Sequence, residues 1–377
     1  MRGGQIHYFM SGNTAQGYQS LLSSNVEGLA KIYLVPDEQE GFASLVIQRI
    51  GDKFCGMGLD TELLHGLSDH SEIMGVIARK LGIGVFGQNR FMVELGVAAA
   101  KKMNVLFIDA ESSANCGIDW NKANMVSSDR AVCRQRVSQC FEEALHIHDE
   151  WEKIYISRMD SDASQRVADE WIPLVFGDRR EEGEGKAMYR FLGGASPMGA
   201  VDFIPNITRR MIRRLFIKGR PGTGKSTLLK KIIHAGIKRG LDVEVYHCGF
   251  DCNSIDMAVF RSIGVALLDS TAPHEYFPNR DGDSVIDMYA LCVEPGTDER
   301  FASEIGDLSE RYREKIKEGT GWLYKAMEIW RAETAAYAYI NEQELQETLE
   351  EAWRFVVERI EAECGWHTSQ EGEVTIQ

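Results

Sequence analysis

No stretch of this chain approaches the roughly 18 uncharged apolar residues that a membrane-spanning helix needs, so membrane insertion is excluded as an expectation. The start, Met1-Arg2-Gly3-Gly4-Gln5-Ile6-His7, has no apolar centre and no small-residue cleavage site, and does not read as a signal peptide. Positive charge is in deficit. Against 57 Asp and Glu there are 42 Lys and Arg, a formal charge of −15, which argues against nucleic acid as a general partner. The local cluster of Arg209, Arg210, Arg213 and Arg214 reads as a solvated face or a set of intramolecular ion-pair partners. The eight cysteines are scattered and make no disulfide framework. Neither Cys248 and Cys252 beside His247 nor Cys133 with Cys140 has the tight pairing of a zinc site. They read as buried free thiols, and a reduced, cytoplasmic location follows as an expectation.

What is present is concentrated in eight residues. Gly219, Arg220, Pro221, Gly222, Thr223, Gly224, Lys225 and Ser226 fit G-x-x-x-x-G-K-[ST], a phosphate-cradling P-loop. The apolar run Leu215-Phe216-Ile217 before it reads as a buried strand. Leu228, Leu229, Ile232, Ile233 and Ile237 after it have amphipathic-helix spacing. Strand, loop and helix in that order point backbone N–H groups at β- and γ-phosphate oxygens. Lys225 supplies a mobile positive charge between those phosphates, and the Ser226 hydroxyl is a ligand for magnesium. With Thr227, the segment 219–227 is the expected nucleotide-binding element.

The chain also repeats itself. A shift of 182 residues pairs Phe9-Met10-Ser11-Gly12 with Phe191-Leu192-Gly193-Gly194, and Gly58-Leu59-Asp60-Thr61-Glu62 with Gly240-Leu241-Asp242-Val243-Glu244. It also pairs His65 with His247, Asp69 with Asp251, Arg79 with Arg261 and Trp171 with Trp353. The reading is a tandem duplication of one α/β unit. Residues 1–182 form the first domain and 183–377 the second, joined through a charged glycine-rich linker over 177–185. The offset sets Asp37 opposite Gly219, Glu40 opposite Gly222, Phe42 opposite Gly224 and Ala43 opposite Lys225. Only Ser44 keeps its type, opposite Ser226. Without the lysine and the glycines, and with Asp37, Glu38 and Glu40 in the way, the first copy is a degenerate unit with a structural or regulatory role.

Four apolar residues in Val265-Ala266-Leu267-Leu268 lead into Asp269, a buried parallel strand delivering an acid at its carboxyl end, where magnesium is held directly or through water. An aspartate that merely starts an Asx turn is the rival reading. In the first copy Gly87 stands where Asp269 does, so phosphate-side and metal-side groups are lost together. In the polar loop that follows, Thr271 and His274 are candidates to sense the γ-phosphate or to position a second substrate, against an idle surface turn. Asp251 and Asp256 are candidates for a general base or for water-mediated metal contact, although Asp69 matches Asp251 in the degenerate copy. Residues 254–261 read as short helix or turn. The apolar spacing from residue 300 onward reads as core-facing helix, with a frayed tail over 368–377. The fold class is α/β: two P-loop NTPase-like units, each a mainly parallel sheet flanked by helices with a helical C-terminal portion.

These residues support a comparison. The chain resembles a group of uncharacterised bacterial P-loop ATPase-like proteins, found mainly in spore-forming Firmicutes and relatives, with two P-loop units in tandem. The segment Phe9-Met10-Ser11-Gly12-Asn13-Thr14-Ala15-Gln16-Gly17, the ending His247-Cys248-Gly249-Phe250-Asp251 and the run Asp269-Ser270-Thr271-Ala272-Pro273-His274 carry the resemblance. In the last of these, serine replaces the family's glycine. The resemblance implies a nucleotide site at Asp269, Thr271 and His274, and implies no reaction.

The leading expectation is magnesium-dependent binding and slow hydrolysis of a nucleoside triphosphate by the second domain. ATP is favoured over GTP, because Asn121-Lys122-Ala123-Asn124 is in the wrong unit and ends in Asn where guanine reading needs Asp. Lys225 and Asp269 carry the chemistry, with Asp251, Thr271 and His274 as candidate catalytic residues. Two alternatives stay open: a small-molecule or nucleoside kinase with a small acceptor, and a non-catalytic, nucleotide-gated interaction protein with an unknown protein partner.

Overall fold

The structure is a computed structural model that describes residues 2–36, 41–67, 71–100, 102–108, 128–334, 342–364, 367–368 and 374–375. Asp37, Glu38, Glu40, Asp69 and the Asn121 to Asn124 run lie outside the described residues. The first half of the chain forms β1 (Gln5–Phe9), a hairpin of β2 (Ser11–Thr14) and β3 (Gly17–Ser20), β4 (Lys31–Val35), α1 (Phe42–Gly56), β5 (Thr61–His65), β6 (Ile73–Ala78), β7 (Ile83–Gly87) and β8 (Val105–Phe107). Two helices follow, α2 (Ser128–Ile156) and α3 (Ser161–Phe176). The second half forms β9 (Ala187–Phe191), a hairpin of β10 (Gly193–Ser196) and β11 (Gly199–Asp202), β12 (Arg213–Lys218), α4 (Lys225–Ile237), β13 (Val243–His247), β14 (Ile255–Phe260), β15 (Val265–Asp269) and β16 (Asp283–Asp287). The helical C-terminal region holds α5 (Ala302–Thr334) and α6 (Glu342–Cys364). The offset of 182 seen in the sequence carries β1, β2, β3, β5, β6 and β7 onto β9, β10, β11, β13, β14 and β15 at the same boundaries.

The fold is mixed α/β, with mostly parallel sheets flanked by helices. In one compact unit β1 pairs parallel with β5, β7 with β4 and β4 with β8, while β6 runs antiparallel between β5 and β7. In the other, β9 pairs parallel with β13, β15 with β12 and β12 with β16, and β14 is the antiparallel strand. The expectation of a short helix or turn over 254–261 is therefore corrected: this segment is strand β14. Ile255, Met257, Ala258, Val259 and Phe260 are all buried, so a centrally placed strand covered on both faces leaves no alternation for the sequence to display. The tail expected to fray carries a short antiparallel pairing of His367–Thr368 with Val374–Thr375.

The compact units do not follow the two sequence copies. One comprises Met1–Met10, Val26–Val132 and Ala326–Gln377; the other comprises Ser11–Asn25 and Cys133–Lys325. Helices have changed sides. In the second unit, Leu228, Leu229, Ile232 and Ile233 of α4 share a core with Leu215 and Ile217 of β12 and with Val167, Ala168 and Phe176 of α3, a helix from the first half of the chain. Phe176 meets Phe260 edge-on, with ring centroids 5.0 Å apart. In the first unit, Val46, Ile47, Ile50 and Phe54 of α1 pack with Leu345, Leu349, Ala352 and Val356 of α6, from the far end of the chain. The duplicated tryptophans follow this exchange, Trp171 packing on the second core and Trp353 on Phe54 of the first. Residues 1–182 and 183–377 thus remain a division by sequence repeat, whereas apolar burial draws each terminal helix onto the other copy's sheet.

Both sheets also bury the same ion pair. Glu244 accepts from Arg261 at 2.7 Å and from Tyr246 at 2.8 Å, and lies 3.2 Å from the fully buried Arg190. Burial alone would raise its pKa, yet the charges of Arg190 and Arg261 bring it down to about 2. Glu62 with Arg79 and Tyr8 is the counterpart. The basic cluster before β12 resolves similarly: Arg214 pairs with Asp283, and Arg213 donates to the Leu174 carbonyl. The described cysteines are free thiols, with Cys133 and Cys140 buried. No helix among the described residues is long and apolar enough to cross a membrane.

A fragment of residues 183–377 would lack α3, exposing the α4 face that Val167, Ala168 and Phe176 cover. Each large side chain so exposed forfeits about 1.5–3 kcal/mol. The fragment is expected to show no cooperative urea transition by far-ultraviolet circular dichroism, while the full chain shows one.

Candidate functional site

The glycine loop follows β12 and ends where α4 begins. Gly222 and Gly224 have φ of 74° and 84°, a left-handed region that suits glycine alone without strain. Gly222 is also needed for closeness: a Cβ there would lie 2.6 Å from the Glu152 carbonyl oxygen of α2. Gly224 is the N-cap of α4, and the helix begins without a side-chain cap. Its free first-turn N–H groups are therefore available to an anion. Thr223 is buried and its hydroxyl donates to the Arg220 carbonyl at 2.8 Å, which tightens the loop from within. Pro221 lies half-buried on the loop, and Thr227 is exposed on the first turn of α4.

Lys225 leans back across the loop. Its Nζ donates to the Arg220 carbonyl at 2.8 Å and stands 3.6 Å from Asp269 Oδ2, with only 10% of the side chain exposed. The loop lysine and the strand-end aspartate, remote in sequence, therefore meet because β12 and β15 are neighbours in parallel register, with Ile217 opposite Asp269. The other Asp269 oxygen accepts from Thr271 N at 3.1 Å and Thr271 Oγ1 at 2.7 Å, so the residue does begin an Asx turn while still facing Lys225.

Ser226 shows a structural role that its copy shares. Its hydroxyl oxygen accepts from Ile255 N at 3.1 Å, as that of Ser44 does from Ile73 N at 2.8 Å. Retention of Ser44 in the first copy thus needs no metal. A hydroxyl oxygen accepting one hydrogen bond keeps a second lone pair. In the first copy, the left-handed N-cap is Gly41 with φ 83°, and α1 starts one residue early at Phe42. A gapless comparison misses that shift.

Asp251 lies in a turn after β13, accepting from Asn253 N at 3.0 Å and Gln16 Nε2 at 2.9 Å. The half-buried Asp256, second residue of β14, is the carboxyl that shares the field of Asp269, Lys225 and His274. Burial and then the Asp269 charge push its pKa up to about 6, against a hydrogen bond from the Cys248 thiol. The positive groups in the field of Asp256 are Lys225 and His274. His274 donates from Nδ1 to Asp202 Oδ2 at 2.7 Å. Burial disfavours its imidazolium, but Asp202, Asp256 and Asp269 outweigh burial and its pKa stands above the ordinary value.

Glu152 and His148 of α2, and the Asp298 that holds Arg220, carry no sequence signal. Glu152 of α2 accepts from Gly222 N at 3.2 Å, placing a carboxylate on a loop amide. His148, one turn earlier, is 3.9 Å from Glu152, and burial lowers its pKa, with Lys225 adding to the effect. His148, Asp149 and Glu152 lie close enough for their ligand atoms to share an ion. Arg220 is held by Asp298 at 2.8 Å, and Asp298 in turn accepts from Tyr155 at 2.8 Å. Of the other arginines, Arg280 donates to the Thr208, Arg209 and Met211 carbonyls, Arg300 faces Glu294 and Arg311 faces Asp307. Beside Gly219 and Arg220 opens a cleft of about 290 Å³, lined also by Lys218, Thr271, Glu275 and Tyr289.

Gly222→Ala combines a left-handed backbone with a clash against α2. It is expected to destabilise the chain by about 1–3 kcal/mol, read as a lowered urea midpoint at unchanged slope. No family model, curated protein or solved structure matches this chain.

Proposed function

We propose that the second unit binds one magnesium–ATP per chain at residues 219–227 and hydrolyses it slowly, coupling turnover to a conformational change. In this reading the chain is a tandem duplication of a P-loop NTPase-like unit, akin to the bacterial ATPase-like proteins it resembles, whose first copy is structural or regulatory. The observation that carries it is Lys225 held between the Arg220 carbonyl and Asp269, at the uncapped start of α4. An incoming phosphate would take over Lys225 from the carbonyl and meet the free N–H groups of the helix's first turn. The donor set fits magnesium: Asp269 and Ser226 are hard oxygen ligands, and Asp256 adds a carboxyl in the field of Asp269 and Lys225. When bound, the ion would neutralise charge on the β- and γ-phosphate oxygens. Asp269 would hold it, with Thr271 fixing the rotamer of that carboxylate through the 2.7 Å bond. ATP is favoured over GTP on the sequence grounds given above.

A second reading, phosphoryl transfer to a small acceptor, is favoured by the cleft beside Gly219 and Thr271. Phosphate release without an acceptor supports hydrolysis, whereas ADP formation that requires a metabolite pool supports the kinase.

Titration with magnesium and a nonhydrolysable ATP analogue should saturate at about one per chain and be lost in Lys225→Ala, since the lysine contacts the phosphates directly. Ser44→Ala and Ser226→Ala should each lower stability by about 1 kcal/mol through the lost strand bond, but only Ser226→Ala should weaken the magnesium dependence of binding. Saturation at two sites, or unchanged binding by Lys225→Ala, would sink the proposal.

Glu152 gives an independent check. Its carboxylate occupies a loop amide that phosphate would otherwise use, so Glu152→Ala should bind the analogue roughly two- to tenfold more tightly, the worth of one competing hydrogen bond.

A further inference from the structure

The hairpin of β10 and β11 ends in Asp202, whose carboxylate serves three groups. Oδ1 accepts from Ile204 N at 3.0 Å and from Tyr276 OH at 2.8 Å, and Oδ2 accepts from His274 Nδ1 at 2.7 Å. Both His274 and Asp202 are largely buried, with 13% and 11% of their side chains exposed. The repeat separates what the fold needs from what is additional here. At the matching place in the β2 and β3 hairpin stands Ser20, and its hydroxyl accepts from Leu22 N at 3.3 Å just as Asp202 accepts from Ile204 N. Ending this hairpin therefore requires an oxygen and not a carboxylate. The negative charge on Asp202 is surplus to the turn, and it is spent on His274.

The loss is also correlated. The copy with Ala43 for Lys225 and Gly87 for Asp269 has Ser20 for Asp202 and Met92 at the offset of His274, within a helical segment, Gln88–Leu95, that has no counterpart over 270–277. Bonds of the scaffold survive in both copies: Glu62 with Arg79 matches Glu244 with Arg261, and the Ser44 bond to Ile73 matches the Ser226 bond to Ile255. Asp202 and His274 partition with the phosphate chemistry and not with the scaffold.

We propose that Asp202 is a positioning residue that holds His274, through the 2.7 Å bond to Nδ1, as a hydrogen-bond donor from Nε2, where the imidazolium offsets charge on the transferred γ-phosphoryl group. Arginine often fills this role; Arg220, Arg280, Arg300 and Arg311 are each engaged with other groups. The inference rests on the ATPase reading above. In the step concerned, the bond from γ-phosphorus to the bridging oxygen breaks and its electron pair leaves on the β-phosphate. The oxygen of water forms the new bond to phosphorus, and the proton it sheds ends on the phosphate product. His274 keeps its proton throughout, Nδ1–H being committed to Asp202 and Nε2–H remaining as the donor. The charged groups facing it are Asp202, Asp256 and Asp269, with the Tyr276 hydroxyl on the shared carboxylate.

The test uses the full chain in three forms: wild type, Asp202→Asn and Asp202→Ser, the last keeping the hydroxyl that suffices in the first copy. Binding of the magnesium complex of the nonhydrolysable analogue is measured first, then steady-state phosphate release across pH, and then the His274 imidazole titration by nitrogen-detected magnetic resonance. Both variants are expected to bind the analogue within about threefold of wild type and to lose kcat by about 10²-fold with little change in KM, the pattern of an interaction made in the transition state. Wild-type kcat should fall as pH rises through the His274 titration, and in Asp202→Asn that fall should move to lower pH together with the imidazole. Wild type that binds no analogue overturns the ATPase reading itself. Wild type that binds and turns over, with kcat in both variants unchanged, overturns the role of Asp202 alone. A kcat that falls as pH decreases through the His274 titration also overturns it, since that would make the imidazole a base and not a cation.

Discussion

The apolar seam between α4 and α3 is the contact on which the site depends. Leu228, Leu229, Ile232 and Ile233 orient the helix whose first turn follows the glycine loop, and Val167, Ala168 and Phe176 close the other side of that seam. The same seam fixes the approach of α2, because the short connection from Ile156 to Ser161 leaves little freedom between the two helices. From it follow the carboxylate of Glu152 on Gly222 and the nearness of the Met159 sulfur and the Ser164 hydroxyl to Gly224. Removing the seam would leave a loop with the right residues and no wall behind it.

Charge accounting explains the rest of the site. Where a carboxylate is structural, it is fully matched: Glu244 sits among Arg190, Arg261 and Tyr246, and Asp283 accepts from Arg214. Around Lys225 the matching fails. Asp256 and Asp269 share one lysine and the His274 ring, and burial with the Asp269 charge raises the Asp256 pKa to about 6. The saturated pairs of the sheet contrast with the less fully matched carboxyl groups at its carboxyl edge.

The internal repeat works as a control built into the molecule. Ser44 and Ser226 make the same bond to the start of the antiparallel strand, so that hydroxyl is explained by folding in both copies. Ser20 and Asp202 both end a hairpin, but only the aspartate reaches a histidine. Functions can thus be sorted residue by residue within one chain, because the two copies share strand boundaries while their site residues differ.

Much of this was determined by the sequence alone. The glycine loop, the strand before it, the amphipathic helix after it and the repeat offset all depend on spacing between near neighbours, and short-range periodicity survives whatever the rest of the chain does. The acid at the end of β15 was legible for the same reason. What only the tertiary structure decided depends on distant pairs. Segment 254–261 is a strand because two neighbouring strands bury it, although its Met and Ala suit a helix locally. Glu152 reaches Gly222 across 70 positions, and Asp202 reaches His274 across 72. The exchange of terminal helices was equally hidden, since an apolar stripe states that it will be covered and not by which sheet. Helix period encodes the face that must leave water. The partner is chosen by shape and by the path of the chain, which only the folded molecule contains.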